Sequence, residues 1–147
     1  MISITRVLSN KNQRDKDAVR IWIRRCLAHM FDPSINACTF LREFIHDSNH
    51  LYMLIAHDQN HVLGILVFMR KPVFFNHEKT IHIRQLSTVG HDQKIKGVGT
   101  RLLNELDKFV RDADFYVLFP TKNAVGFYFK NGFRWANEKY MVKRIRA

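Results

Sequence analysis

The chain is short of the residues that staple or interrupt a fold: two cysteines, three prolines and six glycines in 147 residues. Cys26 and Cys38 stand in neither a CxxC nor a zinc-ligand spacing, so a disulfide scaffold and a thiol redox motif are both excluded, and a reduced, cytoplasmic compartment is expected. So little Gly and Pro rules out collagen-like and low-complexity architectures. No apolar run reaches the ~18 residues needed to cross a bilayer, so no membrane partner is expected. The opening MISITRVLSNKNQRDK lacks the apolar stretch and small-residue cleavage site of a secretory signal. Metal ligands are not clustered: His46 and His50, like His57 and His61, are i, i+4 pairs, but the second straddles an expected turn, and no metal is expected. Acidic residues are scarce as well. There are 13 against 24 Lys and Arg, a net charge of +11 with His neutral. Such a surface attracts polyanions: nucleic acid, anionic membrane or a phosphorylated cofactor. The positive charge is spread along the chain, densest at Lys139, Lys143, Arg144 and Arg146, so charge alone does not select a partner.

What is present is ordinary globular material, 46% hydrophobic and 25% charged, at a length that fits one domain, residues 1–147. Residues 2–8 alternate, with Ile2, Ile4 and Leu8 on one face, as a strand does. Residues 15–30 suit a helix, with Asp15 and Asp17 at its positive end. Ser34 can cap a second helix running to about residue 46. The period then changes: LYMLIA, a DQN turn and HVLGILVFMR read as a hairpin ended by Pro72. A connection, VFFNHE, leads to the strand KTIHIRQLSTV. After a polar loop, residues 97–112 place Leu102, Leu103, Leu106, Phe109 and Val110 on one helical stripe. FYVLF is a strand, 122–130 a short helix stopped by Asn131-Gly132, and 133–145 one or two strands. The order βααβββαβαβ gives a mixed α/β domain.

The junction Lys94, Ile95, Lys96, Gly97, Val98, Gly99, Thr100 joins a strand to a helix N-terminus. Its glycines allow unusual backbone angles and close approach of a ligand. The first-turn N–H groups lack intrahelical partners and can bind an anion, aided by the helix dipole. Lys94, Lys96 and Arg101 add positive charge. The GK[ST] ending of a Walker loop and the third glycine of a dinucleotide fingerprint are both missing.

This junction resembles the acetyl-coenzyme A motif [QR]-x-x-G-x-[GA] of the GNAT superfamily of N-acetyltransferases, with Lys94 in place of Gln or Arg. Downstream, Ala124, Val125, Gly126, Phe127, Tyr128 and on to Gly132 and Phe133 resemble the family's A-x-x-[FL]-Y-x-x-x-G-F segment. The wording is nearest the histone-acetyltransferase branch. That branch carries Phe at the position of Tyr128 and a Glu on the strand before the loop, where this chain reads Ile81, His82, Ile83, Arg84, Gln85, Leu86. The resemblance implies a single-domain mixed sheet of about six or seven strands flanked by about four helices. It implies acetyl-CoA as cosubstrate and direct acetyl transfer to a primary amine (a protein lysine, an N-terminus or a small amine) by a monomer or homodimer. Coenzyme contacts are implied for Lys94 to Thr100, for Phe127 and for Asn123, which can alternatively cap its helix. Main-chain N–H groups around Leu86, Ser87 and Thr88 would hold the acetyl carbonyl.

Acetyl transfer needs a proton acceptor for the amine, a donor for the oxyanion and a proton for the departing thiolate. Tyr128 would supply the last, since a phenol of ordinary pKa near 10 stays protonated at neutral pH. For the base the candidates are His82, Glu78 or a water, an imidazole titrating near neutrality. Two other readings remain: a basic nucleic-acid-binding module, and a GNAT-like protein that binds coenzyme A without catalysis.

Overall fold

The computed structural model describes residues 2–28, 35–59, 61–75, 78–88 and 97–145, with the backbone alone at 26–28, 35–37, 71–75 and 78. Ser34 therefore lies outside the described residues. In chain order the elements are β1 (Ser3–Val7), α1 (Gln13–Ala28), α2 (Ile35–His46), β2 (Tyr52–His57), β3 (Val62–Phe75) and β4 (Glu78–Thr88). There follow α3 (Val98–Phe109), β5 (Phe115–Leu118), a 3-10 turn (Lys122–Ala124), α4 (Val125–Lys130), β6 (Arg134–Trp135) and β7 (Met141–Arg144). The seven strands form one sheet in the order β1-β2-β3-β4-β5-β7-β6. The β4–β5 pair is parallel and the others are antiparallel. This is the expected mixed sheet with four α-helices.

Strand alternation sorts the apolar residues onto two faces. Leu54, Leu66, Phe68, Ile81, Ile83, Tyr116 and Leu118 form one core with Leu102, Leu103 and Leu106 of α3 and Tyr128 of α4. Met53, Ile55, Ile65 and Val67 form the other, with Val19, Trp22 and Ile23 of α1 and Cys38, Leu41 and Phe44 of α2. Cys38 is thus a core thiol, 3% exposed. Each fully buried Leu or Phe contributes about 1.5–3 kcal/mol.

Several boundaries depart from the sequence pattern for local reasons. Helix α1 begins at Gln13 because Asn12 caps it: its Oδ1 accepts the Asp15 N–H at 2.8 Å while its Nδ2 donates to the Asp15 carboxylate. Leu8, expected inside, is 54% exposed, and Val7 is buried instead, at 2%. The strand ends at Val7, so the period of two stops there. Three residues on, Asn10 is fully buried and donates from Nδ2 to the carbonyls of Phe44, Asp47 and Asn49, while its Oδ1 accepts the Leu51 N–H. Pro72 does not end β3, which runs on to Phe75. The register against β4 shifts between Lys71 and Phe75, and a proline without an N–H is tolerated at such an irregularity. Glu78 consequently opens β4 instead of lying in a loop. Helix α3 stops at Phe109, where Val110 turns extended while donating to the Leu106 carbonyl at 2.8 Å.

Candidate active site

The sheet splits between β4 and β5. The two strands pair only at Thr80–Phe115, Ile81–Tyr116 and His82–Val117. Beyond His82, β4 continues to Thr88 against β3 alone. Among the described residues, one edge of that stretch therefore presents main-chain groups with no strand partner. A register shift between Val67 and Phe68 makes Gln85 the partner of Val67 and Ile83 the partner of Phe68, leaving Arg84 as a bulge. The bulge fixes which way the next side chains point. Leu86 and Thr88 line a cavity of about 270 Å³ toward α3 and α4. Arg84 and Gln85 line a smaller one, about 100 Å³, with Glu43 and Asp47 of α2 and the turn after it. Hydrogen bonds to Asn49 and the adjacent Arg84 and Lys11 charges outweigh burial at Asp47 and hold its carboxyl below the usual range.

Helix α3 enters the larger cavity by its N-terminus. Gly97 sits there in the left-handed region, φ 81°, where glycine carries no Cβ penalty. The first intrahelical bond runs from the Arg101 N–H to the Gly97 carbonyl at 3.0 Å, so the N–H groups of Val98, Gly99 and Thr100 have no acceptor within the helix. Among the described residues no side chain caps this end. The aligned N–H dipoles then favour an anion. The second glycine serves packing instead. A Cβ at Gly99 would lie 2.8 Å from Cζ of Phe127, so its absence lets that ring pack on the first turn. Arg101 donates to the Ile2 carbonyl at 3.3 Å and is turned toward β1.

Helix α4 brings Tyr128 to the same cavity, with Ala124 and Phe127 beside it. The helix ends as the sequence indicates: Gly132 has φ 92°, and the Phe133 N–H returns to the Tyr128 carbonyl at 3.0 Å. The Tyr128 ring sits edge-on to Phe127 and Phe133 at 5.2 and 5.4 Å. The residue is only 6% exposed. Among the described residues its hydroxyl has no hydrogen-bond partner. Burial alone pushes the phenol up to about 12.

Leu86, Thr88, Gly99, Phe127 and Tyr128, far apart in sequence, thus share one cavity. Ala124 joins them; the sequence pattern gives it no site role, although it opens the second motif. Ser87 bonds Gln85 Nε2 through its hydroxyl at 3.3 Å, on the opposite face of β4. Asn123 is exposed in the 3-10 turn, and neither that turn nor α4 has a side-chain cap, so the capping expectation fails. His82 lies at the fork of the split, with its ring 5.8 Å from that of Phe119. Glu78 is eight residues before Leu86 on an extended strand, about 26 Å away, which removes it from the cavity. Lys94, Ile95 and Lys96 lie outside the described residues. Among the described residues no three His, Cys, Asp or Glu side chains come together as a metal site, and no helix is long and apolar enough to cross a membrane.

The N–H groups at the start of α3 can hold an anion, the edge of β4 beyond His82 can pair with the amides of an extended ligand, and the Tyr128 hydroxyl, without a hydrogen-bond partner among the described residues, can donate to a ligand atom in the cavity. A family model for the acetyltransferase (GNAT) domain matches residues 13–147. The histone acetyltransferase GCN5 of Oryza sativa subsp. japonica is 44% identical over 45 residues, 29% of this chain, and the chain spans 9% of that protein's length. The catalytic domain of Tetrahymena GCN5 histone acetyltransferase in complex with coenzyme A shares the fold with a TM-score of 0.61 at 14% identity, over 99% of this chain and 94% of that one. So does NAA60 of Arabidopsis thaliana in complex with a bisubstrate analogue, with a TM-score of 0.59 at 14% identity over 98% of both chains. The chain belongs to the GNAT family of acetyltransferases.

Proposed function

We propose that the protein transfers the acetyl group of acetyl-CoA directly to a primary amine: a protein lysine, an N-terminus or a small amine. The observation that carries this reading is the single cavity formed by the end of β4, the first turn of α3 and Tyr128. The N–H groups of Val98, Gly99 and Thr100 bind the pyrophosphate, and Phe127 packs beside the pantetheine arm. Main-chain N–H groups near Leu86 to Thr88, on the unpartnered edge of β4, receive the carbonyl oxygen as it becomes an oxyanion. The amine nitrogen bonds to the carbonyl carbon, the C–S bond breaks, and its electron pair leaves on sulfur. The amine proton passes through a water to His82, which stands at the fork of the split. Tyr128 faces the sulfur. A phenol near 12 is a weaker acid than a thiol by about 3–4 pK units, roughly 5 kcal/mol. Its hydroxyl therefore stabilises the forming thiolate by hydrogen bonding, and solvent completes the protonation.

Relatives with different acceptors support an amine and leave its carrier open. GCN5 is a histone acetyltransferase, and N-acetylglutamate synthase from Neisseria gonorrhoeae was crystallised with coenzyme A and N-acetyl-glutamate. The test is thermal unfolding with acetyl-CoA, followed by thiol release across a panel of amines. Ligand at 100 times its Kd adds about 2.7 kcal/mol, a rise of roughly 5–10 °C for a domain of this size. Absence of any shift at millimolar acetyl-CoA refutes the proposal.

A further inference from the structure

We infer that Gly64, in β3 and outside both motifs, is a positioning residue for the coenzyme site: its missing side chain lets Val98 seat the first turn of α3 on the sheet. Gly64 pairs with Thr88, the last residue of β4 and a wall of the cavity. A Cβ at position 64 would lie 2.7 Å from Cγ1 of Val98, 3.1 Å from Cδ1 of Leu102 and 3.3 Å from the Ser87 carbonyl oxygen. Val98 and Leu102 are 4% and 0% exposed, one turn apart on the buried stripe of α3. The glycine is not there for backbone freedom. Among the described residues the glycines with positive φ are Gly97 and Gly132, and Gly64 is ordinary strand. It is there for space.

The neighbour it would strike cannot easily yield. Val98 is β-branched, and one χ1 rotamer dominates for such residues in a helix. Relief of a 2.7 Å contact to an ordinary carbon–carbon distance near 3.8 Å must therefore come from the helix, a shift of about 1 Å. From the other side the Phe127 ring is packed against the Gly99 position, where a Cβ would meet Cζ at 2.8 Å. The first turn is thus seated between a strand position with no side chain and an aromatic ring. The same turn carries the uncapped N–H groups of Val98, Gly99 and Thr100. A displacement of about 1 Å is enough to spoil a preorganised site. Position 64 sets the aim of these donors without touching the ligand.

The inference rests on coenzyme A binding at α3, and its test separates the two claims. Coenzyme A is titrated calorimetrically into the wild type, Gly64→Ala, Val98→Ile and the double variant Gly64→Ala/Val98→Ala, each checked for cooperative unfolding. Gly64→Ala and Val98→Ile, which crowd the contact from its two sides, are expected to weaken coenzyme A binding about tenfold or more. The double variant, which restores the space, regains at least about fivefold over Gly64→Ala. Should Gly64→Ala not fold, Val98→Ile and the double variant carry the test. Folded crowding variants that bind as tightly as wild type overturn the inference, as does a folded double variant that regains nothing. A wild type that does not bind coenzyme A refutes the proposed function and this inference together.

Discussion

Replacing Tyr128 with Phe removes one oxygen atom from the cavity and keeps the ring against Phe127 and Phe133. Two effects of opposite sign follow. The hydroxyl is buried, and among the described residues it has no partner, so its removal relieves a desolvation cost of about 1–3 kcal/mol. The variant should be as stable as the wild type at pH 7, or about 1 kcal/mol more so. Its turnover should fall about 100-fold or more, as when one donor to developing charge is lost. Coenzyme A affinity should change little. The titration of the phenol supplies a separate signal. Its pKa is near 10 in the unfolded chain and about 12 in the fold, so the folded state holds the proton more tightly. That contribution is complete below pH 10 and is lost as pH rises to 12, about 3 kcal/mol in all. Urea unfolding of both proteins from pH 7 to pH 12 reads it as the difference between two curves, in which the titration of lysines and other tyrosines cancels. A Phe variant that is less stable by more than about 1 kcal/mol at pH 7, or that turns over at the wild-type rate, would show that the Tyr128 hydroxyl is not a buried donor kept for the thiolate.

Three further outcomes are expected. Asn10→Ala removes a side chain that ties the carbonyls of Phe44, Asp47 and Asn49 to the Leu51 N–H, and should cost about 3 kcal/mol in urea unfolding while leaving coenzyme A affinity intact. Gly97→Val places a β-branched residue at φ 81°, although nothing within 4 Å would meet its Cβ. The backbone must move instead, and the thermal shift with acetyl-CoA should vanish. His82→Gln should remove the acidic limb of the kcat/KM profile and leave coenzyme A affinity unchanged; an unaltered profile would exclude His82 as the base.

Most of the fold was legible because its strongest signals are local. Leu102, Leu103 and Leu106 of the α3 stripe read at a helical period and are buried as that period demands. Gly132 reads as a left-handed stop and has φ 92°. The failures are tertiary. Pro72 reads as a strand end, yet β3 passes through it where the register shifts. Leu8 reads as inward, but the strand has ended one residue earlier. Asn10 carries no periodic signal, because its partners lie more than thirty residues away. The site divides the same way. Glycines and an aromatic at fixed offsets mark Gly97, Gly99 and Tyr128. The fork at His82, the bulge at Arg84 and the space at Gly64 depend on which strands pair, and no run of residues spells that out.

Amide NMR of the ¹⁵N-labelled protein during a coenzyme A titration shows whether the α3 N-terminus holds the pyrophosphate. Saturable downfield shifts of the Val98, Gly99 and Thr100 amides, the donors that α3 leaves without acceptors, are expected together with shifts at Leu86 to Thr88. Saturable binding that leaves those amides in place and moves resonances elsewhere would contradict a pyrophosphate at this helix end.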